Sequence, residues 1–343
     1  MSIATIADLN EAELVARIQG RLAKPPDWVV VGIGDDAAVI EPERNRLEVL
    51  TVDALVEGVH FERRFTPADA IGYRALAVNL SDLAAMGASP RVALLSLALP
   101  QDLLCTDFDA MVGGLAALAA RHHIHLVGGN LTRTSGPLVL DVTVTGSVKR
   151  RQVLTRQGAR PGDEILVTGS LGAAAAGLQF LQQETEPSQT SANLAPAQQL
   201  VHRYRYPQPR LRMGQLLSRS KAATSCVDLS DGLADGLRQI AKASDVGIAI
   251  DADAIPIDSD ARAWFQSQGR DPVLEALTRG DDYELAICLR PRQRGRLAAA
   301  IRHGDAPVTR VGVCTAALDL VLRRIVDGRS HLEPLPQGYS HFK

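Results

Sequence analysis

Aspartates recur at chain reversals in this sequence. Gly32-Ile33-Gly34-Asp35-Asp36 stands between two apolar runs, and Asp53 ends the run Leu47–Val52. Asp228-Leu229-Ser230-Asp231-Gly232 lies between a strand pattern and a helix pattern, and Gly280-Asp281-Asp282-Tyr283 precedes another strand pattern. Asn79 and Asp82 are three apart on a predicted helix and share a face. Leu76, Leu80 and Leu83 bury a neighbouring face, where an acid is costly unless it is paired or metal-bound. Gly128-Gly129-Asn130 follows a short strand and carries no bulky side chain, which suits close approach of a phosphate to backbone amides. Each segment has a plainer reading: a turn, a solvated acid, or a helix cap from Ser230 or Asp231. Together they point to one chemistry. Mg²⁺ is small, takes oxygen ligands and bridges carboxylates to substrate phosphates while keeping water. Acids gathered round a polyphosphate repel it unless such cations intervene.

Other phosphate and metal devices are missing from the sequence. It has no GxxxxGK[ST] string and no HRD or DFG set, and Gly32-Ile33-Gly34 fails to extend to GxGxxG because Ala37 holds the sixth position. The Asp228 loop does not place acids as an EF-hand requires. His122, His123 and His125 have no partner at zinc-ligand spacing and read as surface or helix-end histidines. Arg74 and Arg91 read as solvated charges.

The elements that must position these residues follow from periodicity. Asn10 caps a helix with Glu13 three residues on and Leu14, Val15, Ile18 and Leu22 on one face, ending at Pro25-Pro26. Strand patterns fall at Val29–Ile33, Ala37–Ile40, Leu47–Val52, Val92–Leu99, His125–Val127 and Leu138–Val148, and helix patterns at Ala68–Met86, closed by Gly87, and Asp107–Arg121. A linker at Lys149-Arg150-Arg151 and a turn at Arg160-Pro161-Gly162-Asp163 precede a restart with a strand at Ile165–Thr168 and an Ala-rich helix from Leu171. Gln182–Gln198 is polar and reads as a mobile surface loop. A strand ending near Asp228, a helix over Leu233–Ser244, and strands at Gly247–Ile250, Tyr283–Leu289 and Thr309–Val313 complete the pattern. The mixture in both halves predicts two α/β or α+β domains, residues 1–150 and 151–343, within a chain of 343 residues.

Composition excludes several functions. A net charge of −2 offers no global attraction to nucleic acid or to anionic lipid. Cys105, Cys226, Cys288 and Cys314 form no CxxC pair and sit in or near apolar runs, so they read as buried, reduced thiols. The first residues lack the basic and apolar regions of a signal peptide, and the longest apolar runs fall short of a membrane span. The expected location is the cytoplasm.

Read in order, GIGDDAAVI, TVDALVEGVHF, ALAVNLSDLAAMGASP, LVGGN, VLTRQGARPGDEILVTG, DLSDGL, GDDYEL and GYSHF resemble the thiamine-monophosphate kinase family, within the superfamily that includes aminoimidazole ribonucleotide synthetase. The resemblance runs from about residue 30 to 342. It implies two α/β domains. The N-terminal domain would bind ATP and Mg²⁺ and carry a sheet that forms a barrel-like core in a homodimer. A C-terminal α/β sandwich would complete the nucleotide and substrate site. The implied reaction is transfer of the ATP γ-phosphoryl to thiamine monophosphate, assisted by several Mg²⁺ ions. Asp36, Thr51, Val52, Asp53, Asp82, Asn130, Asp228 and Asp231 fall on its metal positions. Gly129, Asn130, Arg156 and Ser230 fall on nucleotide positions, and His60, Asp281 and Tyr339 on substrate positions. Val52 stands where Thr or Ser is usual, leaving only a backbone carbonyl for a metal; Asn130 replaces an Asp, His122 a Tyr, and Asp281 a Glu. Competing readings are a synthetase of the same superfamily acting on another substrate, or a nucleotide-binding relative without catalysis.

Overall fold

The computed structural model describes residues 4–183 and 194–338. Contacts divide the chain into two compact units, Met1–Leu83 with Ser89–Arg150, and Ala84–Ala88 with Arg151–Lys343. No described helix is long and apolar enough to cross a membrane.

The first unit opens with α1 (Glu11–Gln19), fixed by a reciprocal cap. The Asn10 side chain accepts from the Glu13 amide at 3.0 Å, and the Glu13 carboxylate accepts from the Asn10 amide at 2.8 Å. β1 (Val29–Val31) and β2 (Val39–Ile40) make a small antiparallel ribbon. β3 (Arg46–Val56), α2 (Ala68–Ala85), β4 (Ser89–Pro100), α3 (Cys105–Arg121), β5 (His125–Thr134) and β6 (Val139–Lys149) follow. The four long strands form an open sheet in the order β3-β6-β4-β5. Leu55, Leu95, Leu97, Leu140, Val142 and Val144 alternate onto its buried face. Every residue of α2 from Ile71 to Leu80 is buried, Arg74 and Asn79 included, so this helix is enclosed all round. It crosses α3 closely enough that a Cβ at Gly72 would lie 1.8 Å from the Met111 carbonyl oxygen, and one at Gly114 1.9 Å from that of Asp69.

Among the strands that outrun their sequence patterns, β3 and β5 change where site residues lie. β3 runs on to Val56, so Asp53 lies inside it rather than at its end. β5 continues through Gly128-Gly129-Asn130 to Thr134. The glycines mark close strand packing, not a turn: a Cβ on Gly129 would lie 1.9 Å from the Leu95 carbonyl oxygen on β4. Arg74 and Arg91 are buried rather than solvated. Arg91 lies 4.5 Å over the Trp28 ring and donates to the Glu41 carbonyl at 2.8 Å, which replaces part of its lost water, while its Nη1 is buried without a hydrogen-bond partner.

The second unit contains β7 (Glu164–Thr168), α4 (Ala173–Gln183), α5 (Leu194–Arg205), α6 (Leu211–Ser220), β8 (Ala223–Asp228), α7 (Leu233–Ser244) and β9 (Gly247–Asp251). These are followed by α8 (Ser259–Ser267), α9 (Pro272–Thr278), β10 (Leu285–Leu289), α10 (Arg294–His303), β11 (Val308–Thr315), β12 (Leu320–Val326) and β13 (Arg329–Pro334). Its seven strands take the order β13-β12-β9-β11-β7-β10-β8. Leu233, Leu237 and Ile240 of α7 pack with Val227, Ile248 and Ile250 of the sheet. α4, α5 and α8 make a second cluster around Ala176, Leu200 and Phe265. The polar segment 182–198 is not all loop: α4 reaches Gln183 and α5 begins at Leu194, with 184–193 outside the described residues. Pro196 sits in the first turn of α5, where its missing N–H is not needed. All four cysteines are free and buried, and burial together with the Asp228 charge pushes the Cys226 thiol well up.

The α2–α3 crossing supplies a test. Gly72→Ala drives a methyl into the Met111 carbonyl, so it should lower unfolding stability by about 2–3 kcal/mol. Urea titration of the variant beside wild type measures it.

Candidate functional site

In the first unit, β3 places Thr51 and Asp53 on the face that α2 covers. Thr51 donates a short hydrogen bond from its hydroxyl to the Asp82 carboxylate of α2. Val52 points to the opposite face and is 58% exposed, so only its carbonyl is available beside Thr51 and Asp53. Asn79 shares α2 with Asp82 but is fully buried, with its amide turned back to the Ala75 carbonyl at 3.1 Å. Asp36 lies in the exposed loop between β1 and β2, where its amide donates to the Asp35 carboxylate at 2.8 Å. Gly129 and Asn130 are exposed on β5, at the far edge of the sheet from β3. Three inter-strand spacings separate those edges, roughly 14 Å along the sheet. His60 lies in the turn after β3, where its Nδ1 accepts from the Val56 amide at 3.0 Å. That bond assigns the ring proton to Nε2 in the neutral form.

In the second unit the aspartate loops after β8 and before β10 are laced together. The Leu229 amide donates to the Glu284 carbonyl at 2.8 Å, Tyr283 to Leu229 at 3.2 Å, and Asp281 to Ser230 at 2.8 Å. A Cβ at Gly280 would lie 1.9 Å from the Ser230 carbonyl oxygen, so only glycine fits between them. Asp281 and Tyr283 hold φ of +71° and +51°, a left-handed conformation unusual away from glycine, and the Tyr283 hydroxyl donates to Asp281 at 3.1 Å. The first cap of α7 is Gly232, with no side-chain cap bond, so neither Ser230 nor Asp231 caps this helix as its sequence suggested. The chain at Gly338 packs against this end of the helix, where a Cβ would lie 3.3 Å from the Asp235 amide nitrogen. Arg156 is exposed in the segment lying along β8, where the Thr155 carbonyl accepts from the Cys226 amide at 2.9 Å and the Ser244 hydroxyl donates to the Arg156 carbonyl at 3.1 Å. Tyr339 lies outside the described residues. The residue before it, Gly338, is close to Asp231: a Cβ there would lie 3.1 Å from the Asp231 carbonyl oxygen.

Two acids that the sequence reading did not single out hold these loops. Asp282 turns inward and accepts from the Gly172 and Ala174 amides at 2.7 and 3.3 Å, at the start of α4. Burial pushes its carboxyl up to about 7, against the opposing pull of those amides and of Arg203. Glu284 is fully buried. It accepts from Arg210 through both carboxylate oxygens, from Arg203 at 3.2 Å and from the Thr168 hydroxyl at 2.7 Å. The signal for both was present: an acid cannot sit beside the apolar strand Leu285–Leu289 without partners.

Among the described residues, no three His, Cys, Asp or Glu side chains form a ready metal-holding group. The acid positions present only oxygen, the donor set of a hard cation that completes its shell with water and substrate phosphate.

Residues 34–148 match the AIR synthase related protein N-terminal domain, and residues 160–324 the corresponding C-terminal domain. The fold class is therefore the two-domain α/β architecture of AIR synthase-related proteins. The chain is 37% identical to the thiamine-monophosphate kinase of Bacillus subtilis (strain 168), covering 98% of this chain and 100% of that one. Thiamine-monophosphate kinase from Stenotrophomonas maltophilia K279a superposes with a TM-score of 0.81 at 40% identity, over 94% of this chain and 98% of that chain. AaThiL complexed with AMPPCP and TMP matches with a TM-score of 0.74 at 28% identity, over 98% of each chain. The chain belongs to the thiamine-monophosphate kinase family. It is a phosphotransferase that uses ATP and a phosphate-bearing acceptor.

Two measurements test the loop supports. Glu284→Gln leaves Arg210 buried without a carboxylate and should cost about 3–5 kcal/mol of unfolding free energy, read by denaturant titration. Asp282 makes a pH signature. From its ordinary value of 3.8 up to about 7, the folded chain holds a proton that the unfolded chain has released. Its contribution is therefore greatest below that range and declines as pH rises through it. Asp282→Asn should remove this slope. The wild-type-minus-variant stability difference then changes by at most about 1.4 kcal/mol per pH unit below pH 7 and is flat above it.

Proposed function

We propose that this chain transfers the γ-phosphoryl of ATP to the phosphate of thiamine monophosphate, giving thiamine diphosphate and ADP, with magnesium as the required metal. The observation that carries this reading is the lacing of the Asp228–Gly232 and Gly280–Glu284 loops. It leaves α7 without a side-chain cap beside Asp231, while Asp282 turns inward next to Asp281. Oxygen atoms would hold the magnesium, from Asp36, Thr51, Asp53, Asp82 and the Val52 carbonyl, with the Asn130 amide oxygen, Asp228 and Asp231. Bound there, the metal supplies neutralisation of the phosphate charge.

The remaining work belongs to positioning. The acceptor is a phosphate oxygen, already anionic near neutral pH, so the reaction needs alignment and charge neutralisation more than a base, and no catalytic base is assigned. Gly129 and Ser230 offer close backbone and hydroxyl approach to the nucleotide, and Arg156 adds charge-assisted hydrogen bonds to its phosphates. His60, with its proton on Nε2, donates towards the substrate phosphate. Asp281 faces the positively charged thiazolium, with Tyr339 beside the same substrate.

A homodimer in which the sheets of two first units join into a barrel-like core accompanies this reading, as does a cytoplasmic location. Leu50 on β3 is 70% exposed and Leu94 on β4 40%, and with Val52 they lie on the sheet face away from α2. That is an apolar surface suited to a second copy.

Purified protein supplied with ATP, Mg²⁺ and thiamine monophosphate should form thiamine diphosphate and ADP in a coupled assay, and free thiamine should not replace the monophosphate. Asp53→Asn and Asp82→Asn should each reduce turnover at least tenfold while melting like wild type. Absence of product from the folded wild-type protein would overturn the kinase assignment, and wild-type kinetics in both variants would remove these residues from the metal set.

A further inference from the structure

The second unit carries a cavity of about 450 Å³ whose chemistry is opposite to that of the aspartate loops. Its wall includes Arg151, Arg160, Lys221 and Arg290, and no Asp or Glu lines it among the described residues. None of these four cationic side chains has a hydrogen bond or ion pair among the described residues. Several other arginines of the same unit are matched by carboxylates: Arg203 and Arg210 by Glu284, Arg294 and Arg310 by Glu164, and Arg324 by Asp271. The carboxylate nearest in sequence, Asp163, is buried and occupied by the Thr224 hydroxyl at 2.8 Å and the Arg160 amide at 3.1 Å. Gln293 of the wall is held from below. The Gln293 amide nitrogen donates to the Lys221 carbonyl at 3.1 Å, while its Oε1 is buried with no partner.

Four unpaired cations around one concavity repel each other, and a polyanion there gains attraction from all of them. The volume is that of a small-molecule site rather than of a protein interface. The cavity is also removed from the aspartates. Thr224 in its wall precedes Asp228 by four residues of β8, roughly 13 Å along the strand.

We propose that this cavity binds a compact polyanion of the diphosphate or phosphate-ester class, at a site separate from the aspartate loops.

Calorimetry of the full-length protein with inorganic pyrophosphate in metal-free buffer tests this, because without magnesium the aspartate loops repel the probe. The wild type should bind about one pyrophosphate per chain, and Lys221→Gln/Arg290→Gln should weaken binding at least tenfold, about 1.4 kcal/mol. That variant should keep kinase turnover within twofold and an unchanged melting curve. Arg151→Gln, at an exposed position, gives the same reading if the double variant fails to fold. Arg156→Ala should leave pyrophosphate binding intact. Absence of binding by the wild type, unchanged affinity in the cavity variants, or loss in Arg156→Ala alone would overturn the proposal. Binding of poly-glutamate in place of pyrophosphate would also overturn it, in favour of an acidic protein partner.

Discussion

The second unit depends on a single buried carboxylate. Glu284 has no solvent to stabilise its charge, so it must be met by protein groups. Arg210, Arg203 and the Thr168 hydroxyl meet it. These contacts fix the start of β10 against β7 and bind two helical segments to the sheet. The chain on either side inherits that position. Leu229 bonds to the Glu284 carbonyl, Tyr283 to Leu229 and Asp281 to Ser230, so two loops with little intrinsic order run side by side. Positive φ at Asp281 and Tyr283 is tolerated because the flanking bonds determine the path. With Asp282 drawn under the start of α4, Asp281 is left half-exposed beside it.

In the first unit the comparable constraint is geometric. α2 can lie deep under the sheet because Gly72 and Gly114 let α3 approach backbone to backbone. A helix buried all round has almost no place for a charge, and Asp82 is placed where Thr51 reaches it from β3. Strand alternation then separates neighbouring residues in sequence into different roles. Thr51 and Asp53 join the helix-covered face, and Val52 joins Leu50 and Leu94 on the exposed apolar face.

Much of this was legible in the residues. The Asn10–Glu13 cap, the apolar helix over Ala68–Ala85 closed by Gly87 at φ +67°, and the strand ending at Asp228 all carry local signals that tertiary structure did not override. Other elements had signals that went unread. Asp327-Gly328 between two alternating runs is a tight hairpin turn, and it joins β12 to β13. Asp271-Pro272 pairs an N-cap acid with proline at the first helical position, and it opens α9. The course of β5 through two glycines was not legible, because the reason for them lies on β4, which is remote in sequence. The same holds for the roles of Asp282 and Glu284: sequence shows that such acids need partners, but only the fold supplies Gly172, Ala174, Arg203 and Arg210.

Charge in this chain is thus sorted by location rather than by total. A net charge of −2 conceals an acidic set on the laced loops and a cationic set round a cavity of the same unit. Both conditions carry an energetic cost to a folded chain, since like charges held together raise its free energy. Glu284 shows how the fold relieves that cost internally, by bringing arginines from α5 and the start of α6 to one carboxylate. The cationic side chains of the cavity lack such a carboxylate among the described residues. An anion in the cavity would give its arginines and lysine the relief that Glu284 gives Arg203 and Arg210. Opposite charge is thus concentrated on two surfaces of one unit, separated by roughly 13 Å of β8.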